Sequence, residues 1–329
     1  MNTTWELKTH GDPIGSIRKL LETIWHEGKL VKMLIPEYDN PDTFNSGRFI
    51  NHPELLREVN PFKPLMISNS ALIIPDFLFQ NPGTMLGAIL RPCEMRALTE
   101  MVKLKPFSTN HLLTICFDCL GTYPSDEYLS YVDRKGSSES LSQEAMQFAR
   151  QGGIVSYRYR NACQMCTAQD AKEADLSIDV LGLPVRQYIL IHTKDESLAQ
   201  KLQLEKITDG IADVDSIQQH EWMVSKIAER NDHVRIRIQQ ALTDILPKNI
   251  DELVSQFETC DTCQNCLDVC PICKVDFPHR DNNGLFKKVD VVRWLISCSG
   301  CGVCEQVCPR DLPLSAIFGF IQQQLKALV

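Results

Sequence analysis

The chain has 329 residues, 43% of them apolar, and a formal net charge of −8, which is enough apolar material for two ordinary cores and the wrong sign for a nucleic-acid surface. No apolar run reaches the length of a bilayer-spanning helix, and Met1 to His10 lacks the basic and apolar regions of a secretory leader. The expectation is a cytoplasmic protein with no direct membrane insertion, whose fourteen cysteines serve metal ligation and not a disulfide framework.

The elements in chain order alternate helix and strand. Ile14, Ile17, Leu20, Leu21, Ile24 and Trp25 recur at helical spacing, with Pro13 suited to the first turn and Gly28 to the stop. Leu30 to Ile35 then reads as a buried strand. Ala71 to Ile74, Met85 to Leu90 and His111 to Phe117 also read as strands, with a crossover helix over Glu94 to Leu104. A further strand is expected over Ile154 to Arg158, and two more over Ser177 to Leu181 and Arg186 to His192. Helical segments follow as far as residue 245. This is the texture of an α/β domain, a mixed sheet with flanking helices. A boundary near residue 245, dividing 1–245 from 246–329, is placed where the sequence turns cysteine-rich and helical.

In the second part, helices over Asp251 to Phe257 and Asp290 to Ile296 lead into two cysteine runs. A stripe of Leu314, Ile317, Phe318, Ile321 and Leu325 follows them and reads as core. The runs are Cys260-x2-Cys263-x2-Cys266-x3-Cys270-Pro271 and Cys298-x2-Cys301-x2-Cys304-x3-Cys308-Pro309. Two residues between cysteines let one turn wrap three sulfurs around a cube, and the proline leads the fourth cysteine away to the other cluster. Zinc would leave the third and fourth cysteines of each run without a task. The expectation is a mainly α-helical, ferredoxin-like dicluster domain holding two 4Fe–4S clusters, and hence a protein of electron transport.

Six cysteines remain: Cys93, Cys116, Cys119, Cys163, Cys166 and Cys273. Cys93, Cys119 and the pair Cys163-x2-Cys166 fall just beyond expected strand ends, where ligands converge in open α/β sheets. They would make a third cubane site. Spacing alone serves a structural zinc on Cys116, Cys119, Cys163 and Cys166 equally well.

The segments Gly87 to Leu98, Thr114 to Leu120 and Arg160 to Ile178 resemble the beta subunits of deazaflavin-reducing (coenzyme F420-reducing) hydrogenases and formate dehydrogenases. The likeness spans roughly residues 10 to 240. It implies a cluster on Cys93, Cys119, Cys163 and Cys166, three 4Fe–4S clusters in all, and FAD. Cys116 stands where that family tends to have glycine, and Phe62 to Met66 matches its glycine- and lysine-rich stretch poorly. The implied role is an iron–sulfur flavoprotein subunit of an oxidoreductase. It would relay electrons between a catalytic partner subunit, such as a hydrogenase, formate dehydrogenase or heterodisulfide reductase-like subunit, and a flavin that exchanges hydride with a deazaflavin or nicotinamide coenzyme. Ferredoxin is a further candidate partner. Two other readings stand beside it: a flavin-free relay and assembly subunit, and a stand-alone ferredoxin-dependent reductase.

The helix start at Gly11, Gly15 and Ser16 is the candidate anchor for flavin phosphates, set against an ordinary capped helix. Arg91, Arg96, Arg235 and Arg237 read as solvated or ion-paired. No acid–base residue is assigned. The eight histidines show no metal-like spacing, and His279 reads as a surface group.

Overall fold

The computed structural model describes residues 3–36, 47–151, 156–258, 260, 263–282 and 284–327. Eight strands, β1 (Thr4–Lys8), β2 (Lys32–Ile35), β3 (Arg48–Ile50), β4 (Leu86–Leu90), β5 (Leu112–Phe117), β6 (Leu176–Asp179), β7 (Tyr188–Thr193) and β8 (Gly210–Ile211), form one sheet in the order β3-β2-β4-β5-β6-β7-β1-β8. The central four run parallel, and the outer strands are antiparallel. Every residue of β4, β5 and β6 is buried, as parallel strands covered on both faces require.

The two faces carry different helices. In chain order these are α1 (Pro13–Glu27), α2 (Ile74–Gln80), α3 (Pro92–Leu104), α4 (Ser125–Lys135), α5 (Ser138–Ala149), α6 (Asn161–Gln164), α7 (Glu196–Lys201), α8 (Leu204–Ile207) and α9 (Val214–Ala241). The cysteine-rich region adds α10 (Ile250–Glu258), α11 (Asn265–Asp268), α12 (Pro271–Val275), α13 (Lys288–Ile296), α14 (Val303–Gln306) and α15 (Leu314–Lys326). Strand alternation sends Ile89, Leu113 and Ile115 toward Ile17, Leu21 and Ile24 of α1. The intervening Leu86, Ala88, Leu90 and Leu112 face the opposite core with Leu98 of α3. That second core continues without a break into Leu253, Phe257, Trp294, Ile317, Phe318 and Ile321, so the cysteine-rich helices pack onto α3, which lies against that face of the sheet. The stripe on α15 is core, as expected. No helix among the described residues is long and apolar enough to cross a membrane.

Two expected strands are corrected. Ala71 to Ile74 is a 3-10 turn, Ser70–Ile73, that runs into α2. The Asn69 Oδ1 accepts from the Ala71 N–H at 3.1 Å and Pro75 sits in the first turn of α2, both helix-starting signals that an apolar run of four residues hides. Of Ile154 to Arg158, residues 154 and 155 lie outside the described residues, and Ser156–Arg158 is a 3-10 turn. The pair Cys163 and Cys166 therefore arrives on α6 and the turn after it, and not from a strand end. Strands β1, β3 and β8 carry too few apolar residues to stand out in the sequence.

Candidate metal centres

Three segments bring the upstream cysteines to the carboxyl ends of β4 and β5. Cys93 lies in the first turn of α3, which Pro92 opens. The buried Glu94 fixes that turn by accepting from the N–H groups of Arg91 at 2.8 Å and Ser70 at 3.0 Å. Arg91 in turn donates to the carbonyls of Lys63 and Leu65. Cys119 follows β5, and its N–H donates to the Gln169 carbonyl at 2.8 Å. Its neighbour Asp118 is a clamp. One carboxylate oxygen accepts from the N–H groups of Val180 and Leu181 and from the His220 ring at 2.9 Å. Cys163 and Cys166 are held from α9, where the Asn231 side-chain amide donates to the Cys166 carbonyl at 2.7 Å.

The sulfurs share one electrostatic field. Burial, and next the charge of Cys163, push the Cys119 thiol up to about 12. Burial raises Cys93 as well, with Glu94 and Cys119 adding to it. Cys163 is the exception. Burial opposes its ionisation, yet the Arg160 guanidinium, together with the Thr122 hydroxyl, pulls its pKa below the usual thiol value. Among the described residues, no three cysteine sulfurs lie within 4.8 Å of one another. Tetrahedral zinc, with sulfurs at about 2.3 Å from the metal, needs them about 3.8 Å apart; a cubane, one thiolate to each iron, holds them wider. Cys116 points elsewhere, packing against Ala171, Ala174 and Met95.

In the cysteine-rich region the two runs interleave. Cys266 feels Cys260 and Cys263, and then Cys308 of the other run, and sits at about 12, chiefly through burial. Cys298, also pushed up to about 12 by burial, feels Cys270 of the first run ahead of Cys301. Desolvation raises the thiol of the half-buried Cys304, and Cys301, Cys298 and Cys270 add to it. The fourth cysteine of each run thus lies in the field of the other run. Cys270 caps α12, and Pro271 occupies the first position of that helix. The side chain of Cys273, then the backbone N–H groups of Cys273 and Ile272 and the Trp294 indole N–H at 3.3 Å, bring Cys270 down to about 7 against burial. Cys263 is the one exposed cysteine among the fourteen.

The two cysteine sets meet. Arg96 donates to the Ser299 carbonyl at 3.2 Å and to the Ala168 carbonyl at 2.8 Å, with Cys166 Sγ 3.9 Å away. Asn161 on α6 donates to Glu305 on α14 at 2.8 Å, and Gln306 donates to the Met66 carbonyl at 2.9 Å. Gly302, at φ +69°, packs so tightly that a Cβ there would stand 2.3 Å from that of Ala162. A cleft of about 300 Å³ opens at this junction, with Cys166, Cys298 and Cys304 in its wall.

The expected flavin anchor is otherwise engaged. The Asp12 carboxylate accepts from the Gly15 N–H at 2.9 Å, and the Ser16 N–H donates to the Asp12 carbonyl at 3.1 Å. Gly11 N–H donates to the Arg186 carbonyl. The helix start thus carries its own anion, which is the ordinary capped helix, and Gly11, Gly15 and Ser16 do not fit a flavin phosphate. The cleft at the ends of β4 and β5, beside Lys63, Arg91 and Cys119, measures about 20 Å³ and does not fit an isoalloxazine ring. Sequence reasoning missed the buried group Asp118, Asp179 and His220. An aspartate immediately after a buried strand was the available signal, but its histidine partner is 102 residues away.

Residues 247–312 match the family described as 4Fe-4S dicluster domain. Over 277 residues the chain is 21% identical to the F420-dependent formate dehydrogenase subunit beta of Methanocaldococcus jannaschii, covering 72% of this chain and 70% of that one. Its fold is similar to that of a chain in the F420-reducing NiFe hydrogenase complex from Methanosarcina barkeri, with a TM-score of 0.50 and 10% identity, over 72% of this chain and 91% of that one.

Proposed function

We propose that the chain is the iron–sulfur electron-transfer subunit of an F420-linked oxidoreductase complex, with three 4Fe–4S centres in line. Its likeness to the beta subunit of an F420-dependent formate dehydrogenase and its match to a 4Fe-4S dicluster domain support this reading. The carrying observation is the junction of the two cysteine sets, where Cys301 lies in the electrostatic field of both Cys93 and Arg160.

Cubane clusters pass single electrons, and this chain's residues would fix their order. Cys260, Cys263, Cys266 and Cys308 would hold the outermost centre, with the exposed Cys263 toward a partner. Cys298, Cys301, Cys304 and Cys270 would hold the middle one, and Cys93, Cys119, Cys163 and Cys166 the innermost. A catalytic partner subunit would exchange single electrons at one end, and at the other a two-electron carrier such as a flavin, on this chain or on a partner, would exchange hydride with a deazaflavin or nicotinamide coenzyme. In a second, flavin-free form of this relay the partner supplies the hydride chemistry, and the carboxylate already capping α1 bears only on the one candidate phosphate anchor. The test is anaerobic reconstitution of the full chain. The expected content is about 12 iron and 12 sulfide, and added FAD distinguishes the two forms by whether it is retained on gel filtration. About eight iron with one tightly held zinc would sink the innermost centre.

A further inference from the structure

Arg160 is 6% exposed, and among the described residues no carboxylate pairs with it. Its Nε donates to the Thr122 hydroxyl at 2.8 Å. Nη2 reaches the Met66 sulfur at 3.3 Å and the Cys163 sulfur at 3.8 Å. Nη1 is buried and has no partner at all. A guanidinium in this setting is costly unless an anion meets it. The anion within reach is the Cys163 sulfur, and Ala162 of the same segment packs directly against Gly302 of the other cysteine set.

Arg96, the other arginine at these sulfurs, is different. Two backbone carbonyls take its donors. Of the two, Arg160 is the one with a buried N–H left unspent among the described residues. Its direction is fixed, because Thr122 grips Nε and lies 3.4 Å from the Cys163 sulfur, and the Arg160 backbone N–H donates to the Thr122 carbonyl.

We propose that Arg160 is a positioning and charge-supplying residue that raises the reduction potential of the innermost centre, and that it does so from the side facing the middle one. A reduced cluster carries one more negative charge than an oxidised one, so a fixed positive charge beside it stabilises the reduced form. Lysine would supply the charge without the fork that Thr122 orients. The proposal rests on the three-centre reading above, and the experiment separates the failure of either.

The full chain is reconstituted anaerobically, its iron is counted, and the innermost centre is followed by electron paramagnetic resonance during redox titration. Native protein with about eight iron overturns the three-centre reading before any variant is made. Given about 12, Arg160→Gln should keep its iron while the reduction equilibrium of the innermost centre falls at least tenfold, about 59 mV for one electron. Arg160→Lys should remain within about threefold of native. An unchanged potential in Arg160→Gln overturns the proposal. Should Arg160→Gln lose the innermost centre, Arg160→Lys decides. A centre assembled near the native potential supports the charge as determinant, while a tenfold fall or no centre leaves Arg160 an architectural role only.

Discussion

The sheet region and the cysteine-rich region solve the same problem with different materials. In the sheet region four cysteines come from three segments up to 73 residues apart in the chain, and the fold must bring them together. Glu94, Asp118 and Asn231 pin the backbone on which they sit, while arginine side chains face the sulfurs. In the cysteine-rich region the cysteines stand close together in two short runs, and Cys270 is met by backbone N–H groups, an indole and a thiol. At Cys163 the compensation comes from a full charge and at Cys270 from dipoles and a thiol, a difference that bears directly on reduction potential.

The sharpest way to break this comparison is to separate the regions. Leu253, Phe257, Trp294 and Ile317 continue the core of Leu86, Ala88, Leu90 and Leu98, so a chain ending at residue 245 exposes the outward side of α3 and opens that shared core to water. At about 25 cal/mol per Å² of apolar surface, uncovering that core outweighs a typical net stability of roughly 5–15 kcal/mol. The truncated chain should be insoluble or lack a cooperative thermal transition by circular dichroism. A soluble monomer melting cooperatively would show that the shared core is dispensable.

A smaller intervention asks which sulfurs matter. Cys119→Ser should cost about four iron and leave the dicluster signals in place, while Cys116→Ser should keep the full complement, because Cys116 packs between Ala171 and Ala174. Iron analysis of the two variants checks this. The reverse pattern would mean that the loop after β5 presents the other cysteine.

The two regions also differ in how much the sequence disclosed. A contiguous motif carries its geometry in its spacing, so Cys260 to Cys308 and the core stripe on α15 were legible directly. The strand ends after β4 and β5 were legible from buried apolar runs. The approach of Cys163 and Cys166 was not, because it depends on α6 docking against α9 through Asn231, a contact between residues 65 apart. The helix start at Ser16 left two roles open for a local reason: Asp12 is both an N-cap and an anion, and periodicity does not show which role it has taken.

His220 tests the fold-dependent region alone. Burial opposes its charging, but Asp118 and Asp179 more than offset that and hold its pKa at about 9. A histidine raised above its unfolded value of about 6.5 contributes stability fully below that pH and loses it as pH rises through about 9, some 3 kcal/mol in all for this triad. The native Tm should therefore fall by several degrees more between pH 6.5 and 9 than that of His220→Gln. Parallel pH profiles for the two proteins would show that the triad carries no proton linkage.

The smallest effect belongs to the other region. Cys273 is buried beside Cys270, and its S–H donates to that sulfur, which raises Cys273 far above the thiol range and lowers Cys270. Both four-cysteine runs are complete without it, so Cys273→Ala should retain all the iron. What it removes is one weak hydrogen bond to a ligand sulfur. Such a bond favours the more negatively charged, reduced state, so its loss should lower the potential of the middle centre by roughly 20–40 mV, the equivalent of about 0.5–1 kcal/mol for one electron. That is less than the shift expected at Arg160, as a dipole should be less than a charge. A redox titration of the variant beside Arg160→Gln compares the two directly. A larger shift in Cys273→Ala would place the stronger electrostatic control in the motif region and reverse the contrast between them.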